Sequence, residues 1–199
     1  DQTWIITSQQ MQSQANFTLL SRLVREELAG AVMADDGVTP LLSDEEVRYM
    51  GISNGGTQGW VILAASSEYD RGMLVVPGGG WTHMLERATQ WNSMGAVITM
   101  GYDDNRDMQL MMALLQMVLD PVDSLNWVQR VTHDRFDGRD GVRYIALEAV
   151  GDTQVANMIT EWVCRSDDVP LVTPSPRDVW GLPTVTAAPP GGTAEPAVL

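Results

Sequence analysis

The stretch VRYMGISNGGTQGWVILAA, residues 47–65, decides how this chain folds. An apolar run leads into Gly51-Ile52-Ser53-Asn54-Gly55, and an alanine-rich apolar run follows. The first run predicts a short strand over Val47–Ile52, and the second predicts a buried helix over Thr57–Ala65. The five residues between them fit the pattern G-x-S-x-G, which places a nucleophilic serine on a sharp strand-to-helix turn.

The turn has two interpretations. If Ser53 is a nucleophile, the glycines two residues before and after it let strand and helix approach without a Cβ clash. The N–H of Asn54 would then form half of an oxyanion hole. In the alternative, Ser53 only caps the helix and the glycines only make a turn. The apolar strand before the turn and the buried helix after it favour the nucleophile.

The rest of the chain alternates short apolar strands with helical patterns, which is typical of parallel βαβ units. We predict an α/β fold, although three confident strands are too few for a complete open sheet. The predicted strands are Val47–Ile52, Gly72–Val76 and Val142–Ala149, and Ala96–Met100 is left open as a strand or a buried turn. The predicted helices are residues ~8–29 with Gly30 as the stop, Thr57–Ala65, Met84–Trp91, Asp107–Leu119 and Val155–Cys164.

The C-terminal composition differs from the rest, because six of the ten prolines lie between Pro174 and Pro196. We predict an extended surface segment over residues 173–195. Ala197-Val198-Leu199 would begin one more strand.

Composition excludes several classes of function. The net charge is −14, which disfavours binding to nucleic acid or to anionic lipid. Hydrophobic residues make up 44 % of the chain, enough for a core, and no run approaches the ~18 apolar residues of a membrane span. The single cysteine, Cys164, excludes an internal disulfide and a multi-cysteine metal site. It reads as buried rather than reactive, and we expect neither a cofactor nor a metal.

A second candidate site is Gly151-Asp152-Thr153-Gln154-Val155, directly after the predicted strand Val142–Ala149. An acid at the C-terminal end of a parallel strand lies at the same sheet edge as Ser53. Asp152 could therefore orient a histidine and stabilise its charged form. In the alternative, Asp152 caps a helix that begins near Thr153.

Together these residues resemble the α/β-hydrolase family, and more narrowly a group of large bacterial, often myxobacterial, hydrolase-like proteins. The resemblance covers roughly residues 8–182. It is carried, in the family's order, by the stretches YMGISNGGTQG, YDRGMLVVPGGGWTHMLERA, MQLMMALLQMVLD and GDTQVANMITEWVCR.

The resemblance implies a partial hydrolase sheet that lacks the first strands and the last strand. Residues 1–172 would be an incomplete hydrolase domain, and residues 173–199 a Pro/Gly-rich segment leading to a truncated strand. It also implies that Ser53 is the nucleophile and Asp152 the triad acid. The second oxyanion donor would lie upstream of Asp1, and the catalytic histidine would lie beyond Leu199.

The chain itself holds only His83 and His133. His83 follows the second predicted strand and could approach Ser53 as the base, or it could be an ordinary residue of the helix there. His133 lies in a charged loop, where a solvated role is favoured over catalysis. The aspartates around it do not follow the spacing of an EF-hand loop.

The sequence therefore predicts a serine hydrolase segment that acts on a small-molecule ester or acyl substrate. The alternative is a non-catalytic hydrolase-like domain that binds a ligand or partner. Trp81 and Trp91 could line an acyl pocket or simply pack. Met108, Met111, Met112 and Met117 are predicted to fill the core. A secreted or cell-envelope protein is slightly favoured over a cytoplasmic one, and no pattern indicates an oligomeric state.

Overall fold

A computed structural model of the chain describes residues 3–186 and 197–198. The α-helices within these residues are α1 Thr3–Leu23, α2 Asn54–Ala65, α3 Trp81–Arg87, α4 Trp91–Thr99, α5 Asn105–Leu119, α6 Ser124–Trp127, α7 Gln129–Thr132 and α8 Asn157–Ser166. A π-helical turn over Val24–Leu28 continues α1, and 3-10 turns cover Asp120–Val122 and Phe136–Gly138. The strands are β1 Val47–Ile52, β2 Tyr69–Val75, β3 Arg143–Leu147, β4 Leu171–Val172, β5 Thr184–Val185 and β6 Ala197–Val198.

The strands form one sheet in the order β1-β2-β3-β6-β4-β5, and every pairing in it is parallel. Helices flank this sheet, so the predicted α/β class is confirmed. In a parallel sheet all strands end at the same edge. The turn after β1 and the loop after β3 are therefore brought to one side of the molecule.

One face of the sheet packs against α2 and α8. Tyr49, Leu74, Tyr144 and Ala146 point to this face and are buried in the main core cluster, together with residues of both helices. The opposite face is more open in the part of the chain that the structure describes. Its side chains on β1, Met50 and Ile52, are 61 % and 59 % exposed. The core thus lies between the sheet and α2, and it fixes the direction in which α2 leaves β1.

Several element boundaries differ from the prediction. Strand β1 is confirmed, and α2 begins three residues before Thr57, at Asn54. The helix predicted at Met84–Trp91 is instead α3, which ends at Arg87. Ala96–Thr99 of the open segment belongs to α4, so neither a strand nor a buried turn forms there. Besides the three predicted strands the sheet contains β4 and β5, which each have two residues and carry too little pattern to detect, and β6 begins at Ala197, where one more strand was expected.

The methionines of α5 do not all fill the core. Met112 is buried, but Met117 is 66 % exposed, and Leu110 and Leu114 on the same helix are also exposed. The prediction that Met117 is core filler is therefore wrong. An apolar helix with no polar stripe carries no signal of which face packs inward, so composition overestimated its burial.

The C-terminal segment contributes to the sheet through β5, which pairs with β4. Residues 187–195 of the predicted extended segment lie outside the described residues, as do Pro196 and Leu199. Ala197 and Val198 form β6, which pairs with both β3 and β4. Within residues 3–186 and 197–198, no helix combines the length and apolar character needed to cross a membrane.

Glu68, buried just before β2, joins the start of this strand to the end of α1. Its carboxylate accepts a 2.9 Å hydrogen bond from the Arg22 guanidinium and forms an ion pair with the Arg25 guanidinium at 2.6 Å. Burial raises the pKa of Glu68, but the hydrogen bond from Arg22 and the charges of both arginines lower it by more. The net pKa is below the ordinary value of 4.5.

Replacing Glu68 by glutamine is expected to lower the free energy of unfolding by about 2 kcal/mol near neutral pH, because hydrogen bonds to charged groups contribute about 1.5–3 kcal/mol. The lowered pKa means that this stabilisation is present above pH 4.5 and is lost as the pH falls through the folded-state pKa. Urea unfolding at a series of pH values should show that the difference in unfolding free energy between the parent chain and Glu68→Gln becomes smaller as the pH falls. The exposed Glu45→Gln is the control, and a gap independent of pH would contradict the prediction.

Candidate functional site

Ser53 occupies a strained turn between β1 and α2. Its φ of 54° and ψ of −119° lie in a region that residues other than glycine rarely adopt. The Ser53 N–H donates to the Val75 carbonyl at 2.9 Å, and its own carbonyl accepts from the Thr57 N–H at 2.9 Å. These bonds tie the turn to β2 on one side and to α2 on the other. Ser53 is exposed, so its hydroxyl is open to a reactant.

The close approach of strand and helix requires glycine at some positions of the motif only. A Cβ on Gly51 would lie 2.2 Å from the Gly55 carbonyl oxygen, and one on Gly56 would lie 2.8 Å from the Val75 carbonyl oxygen. A Cβ on Gly55 would meet only the Tyr49 hydroxyl, at 4.0 Å. The expectation that both motif glycines prevent a clash is therefore right for Gly51 and wrong for Gly55, and Gly56 takes that role.

Asn54 is the first residue of α2. The first amides of a helix have no carbonyl partner within the helix, and the dipole adds partial positive charge at this end. The Asn54 N–H is therefore in a place where it can stabilise a developing oxyanion beside Ser53. Its role as an oxyanion donor stays a prediction.

Asp152 and Ser53 line one open cleft of about 480 Å³ at the C-terminal edge of the sheet. The rest of this polar cleft is formed by Val76 and by the residues around Asp152, from Ala149 to Val155. The Asp152 Oδ1 accepts hydrogen bonds from the Gln154 and Val155 amides at 2.8 Å and 3.0 Å. These bonds close the loop after β3 and do not cap a helix that begins near Thr153, because α8 begins at Asn157.

Val76 is a feature of the polar cleft that sequence reasoning missed. Its φ is 45°, which is strained for a β-branched residue. Its N–H donates to the Leu147 carbonyl at 2.7 Å, which holds the end of β2 against β3. Ser53, Val76 and Asp168 are the non-glycine residues with positive φ in the described part of the chain, and the first two line this cleft. Strained residues cluster at functional sites. A valine at the end of a predicted apolar strand carries no sequence signal of such a conformation.

Asn157 holds the loop that carries Asp152. Its Oδ1 accepts from the Gly151 N–H at 2.7 Å, and its Nδ2 donates to the Ala149 carbonyl at 2.7 Å. One side chain on α8 thus anchors the loop on both sides of Val150. This residue was also missed, because an asparagine within a helical pattern has no distinguishing spacing.

A partly buried ion cluster lies at the start of the same loop. Arg177 contacts Glu148, the residue after β3, at 2.6 Å, and it also pairs with Glu161 of α8. Burial raises the pKa of Glu148 above its ordinary value, although the hydrogen bond and charge of Arg177 oppose this and Glu161 adds to it. The cluster joins β3, α8 and the segment around Arg177.

Ser53 also lines a second cleft, of about 180 Å³, between α3 and the Asp152 loop. Trp81, Met84, Leu85, Ala88 and Val155 form its apolar walls, and we call it the apolar cleft. Trp81 thus lines a cleft beside Ser53, which is the position that its predicted role in an acyl pocket would require. Trp91 begins α4 and is not among the residues that line either cleft.

Both histidines belong to the described part of the chain, and neither lines the polar or the apolar cleft. His83 on α3 is half exposed, its Nδ1 lies 3.9 Å from Glu86, and its ring packs edge-on against Trp162 at 5.5 Å. The His133 Nε2 lies 3.6 Å from the buried carboxylate of Asp167. His133 follows α7, whose end packs against the residues before β3. It is therefore at the opposite edge of the sheet from Ser53.

Cys164 is buried on α8 in the main core cluster, as expected. Burial raises the pKa of its thiol well above the ordinary value, and the nearby charges of Glu148 and Asp167 add to this. The thiol is therefore protonated and enclosed, which are the properties of an inert cysteine. In the residues that the structure describes, no group of three or more His, Cys, Asp or Glu side chains is arranged to hold a metal ion.

No protein-family model matches the chain, and no curated protein matches its sequence. Among solved structures, the chain is similar to a puromycin hydrolase crystallised as a serine-to-alanine variant in complex with PGG. That match has a TM-score of 0.45 and 12 % identity, and it covers 74 % of this chain and 21 % of the puromycin hydrolase chain. The match thus spans about a fifth of the length of the puromycin hydrolase chain.

Proposed function

We propose that this chain carries the nucleophile and the acid of a serine hydrolase that cleaves acyl esters. The Ser53 Oγ attacks the acyl carbon, and its proton passes to a histidine that Asp152 orients. The Asn54 N–H stabilises the oxyanion of the tetrahedral intermediate. The alcohol then leaves with the proton, and water releases the acyl group from Ser53.

The observation that carries this proposal is the shared cleft. Ser53 follows β1 in a strained turn with a φ of 54°, and Asp152 follows β3, two strands away in the sheet. Ser53 and Asp152 are 99 positions apart in the sequence, and both line this cleft because the parallel sheet brings the ends of β1 and β3 to one edge. A serine and an acid at the ends of such strands are the arrangement that a hydrolase triad uses.

We further propose that the histidine of this triad comes from outside the 199 residues. His83 faces Glu86 and Trp162, and His133 lies near Asp167 at the far edge of the sheet. This same observation favours the second candidate function, a hydrolase-like domain that binds a ligand without catalysis. The two functions differ in one measurable property, the reactivity of Ser53.

Labelling with a fluorophosphonate in the presence of imidazole tests the proposal, since free imidazole can act as the missing base. We expect slow labelling of the chain alone, faster labelling with imidazole, and none in Ser53→Ala. In a longer form of the protein that carries the histidine, labelling needs no imidazole. If imidazole does not accelerate labelling, the non-catalytic function is favoured. Rapid labelling without imidazole that His83→Ala abolishes would make His83 the base.

Replacing Asp152 by asparagine should slow the imidazole-assisted labelling at least about tenfold, because the carboxylate no longer stabilises the imidazolium. The asparagine Oδ1 still accepts the two amide hydrogen bonds of the loop, so the loop keeps its shape. Asp178→Asn, outside both clefts, is the matched control. Equal labelling rates for Asp152→Asn and the parent chain would remove Asp152 from the site.

A further inference from the structure

We infer that the apolar cleft beside Ser53 binds an uncharged apolar group of the substrate about the size of one aromatic ring. The inference rests on the proposed function, and it adds the chemical class of the substrate. Ser53, Gln154 and Val155 line both clefts, so Ser53 lies where they meet. A group bound to the acyl carbon at Ser53 can thus enter the apolar cleft while Asp152 faces the polar one.

The composition of the walls determines which groups can enter. The side chains of Trp81, Met84 and Leu85 come from one side of α3, and Val155 faces them from the loop after β3. Among the described residues that line the cleft, none carries a charge. A charged substrate group against the apolar walls would lose part of its hydration without gaining an opposite charge, which is unfavourable.

The size of the cleft restricts the group further. Its volume is about 180 Å³. An engineered apolar cavity of about 150 Å³ in another protein binds benzene. One aromatic ring, or a branched acyl group of similar volume, therefore fits, whereas a long acyl chain or a fused ring system must extend into solvent.

The walls are held in place before any ligand arrives. The Trp81 N–H donates to the buried carboxylate of Asp123 at 2.9 Å, and its indole N–H donates to the Val122 carbonyl at 3.3 Å. Met84 and Val155 pack with Ile159 in a small core cluster. A preformed apolar site costs little ordering entropy on binding, which favours a rigid ring.

Binding of benzyl alcohol, followed by ligand-observed NMR in the Ser53→Ala background, tests the inference without any need for turnover. Ala88→Phe places a ring in the cleft and is expected to weaken binding at least about tenfold. Ala113→Phe, the same change at an exposed position of α5, should leave binding unchanged. The charged analogue 4-(hydroxymethyl)benzoate should bind at least about tenfold more weakly than benzyl alcohol.

A second measurement uses methyl-labelled protein that keeps Ala88, so it does not depend on how the Ala88→Phe variant folds. The ring protons of benzyl alcohol should show contacts with the methyl groups of Met84, Leu85 and Ala88. Contacts with the exposed Met50 or Met117 in their place would overturn the inference. Equal binding of benzyl alcohol by the Ala88→Phe and Ala113→Phe variants would also overturn it. If labelling of Ser53 fails while these contacts are found, the proposed reaction is wrong and the apolar binding site stands.

Discussion

Replacing Asp123 by alanine is expected to lower the free energy of unfolding by about 4 kcal/mol or more, a large part of the stability of a domain this size. The Asp123 carboxylate is fully buried and accepts from the amides of Gly80, Trp81 and Leu125 at 2.8–2.9 Å. Each buried donor left unpaired costs about 1–3 kcal/mol. The variant would leave these three unpaired at once.

Asp123→Asn is expected to have a smaller effect. One oxygen remains to accept from two of the amides, while the new amide group faces the Trp81 N–H and the Gln116 Nε2, which lies 2.8 Å from the carboxylate. The Gln116 side-chain amide cannot flip to present its Oε1 to the new amide group without losing a hydrogen bond, since this Oε1 accepts from the Thr82 N–H at 3.0 Å. Urea unfolding followed by circular dichroism measures all variants, with the exposed Asp103→Ala as control. A loss below about 1 kcal/mol for Asp123→Ala would show that water replaces the carboxylate.

Alanine at Gly51 and alanine at Gly55 are expected to change stability in opposite directions. At Gly51 the new Cβ would lie 2.2 Å from the Gly55 carbonyl oxygen, which is backbone and cannot move aside. The turn must then open, at a cost of about 3 kcal/mol or more. At Gly55 the nearest atom is 4.0 Å away, and alanine in a helix is favoured over glycine by about 0.5–1 kcal/mol.

Midpoints and slopes of urea unfolding for the two variants give this comparison directly. Gly51→Ala should also lose the imidazole-assisted labelling of Ser53, because an opened turn moves the hydroxyl away from the Asn54 N–H. Gly55→Ala should label at the rate of the parent chain. A destabilisation of similar size in both variants would mean that the glycines act through the flexibility of the turn and not through the close approach at Gly51.

Local pattern was sufficient for the elements that border the site. The apolar run of residues 47–52 predicted β1 with its observed bounds, and the apolar run after it predicted α2 apart from its first three residues. Both elements are long enough for their period to appear in the sequence. The two-residue strands β4 and β5 are not, and their pairing is decided by residues far away in the chain.

Burial was predicted less well than secondary structure. Met112 and Met117 have the same chemistry and lie on the same helix, yet one is buried and the other is exposed. Which face of α5 packs depends on where α1 and α3 lie, and the sequence of α5 carries no record of this. The two motif glycines show the same limit, because only the position of the Gly55 carbonyl makes Gly51 indispensable.

By itself, the sequence determined the α/β class, the turn at Ser53 and the presence of an acid after a later strand. These depend on side-chain period and on residue order, both of which are local. The tertiary structure decided that Ser53 and Asp152 share a cleft, that Val76 is strained beside them, and that neither histidine lines it. Proximity between distant residues follows from strand pairing and from the packing of α2 and α8 on the sheet, and those are properties of the whole folded chain.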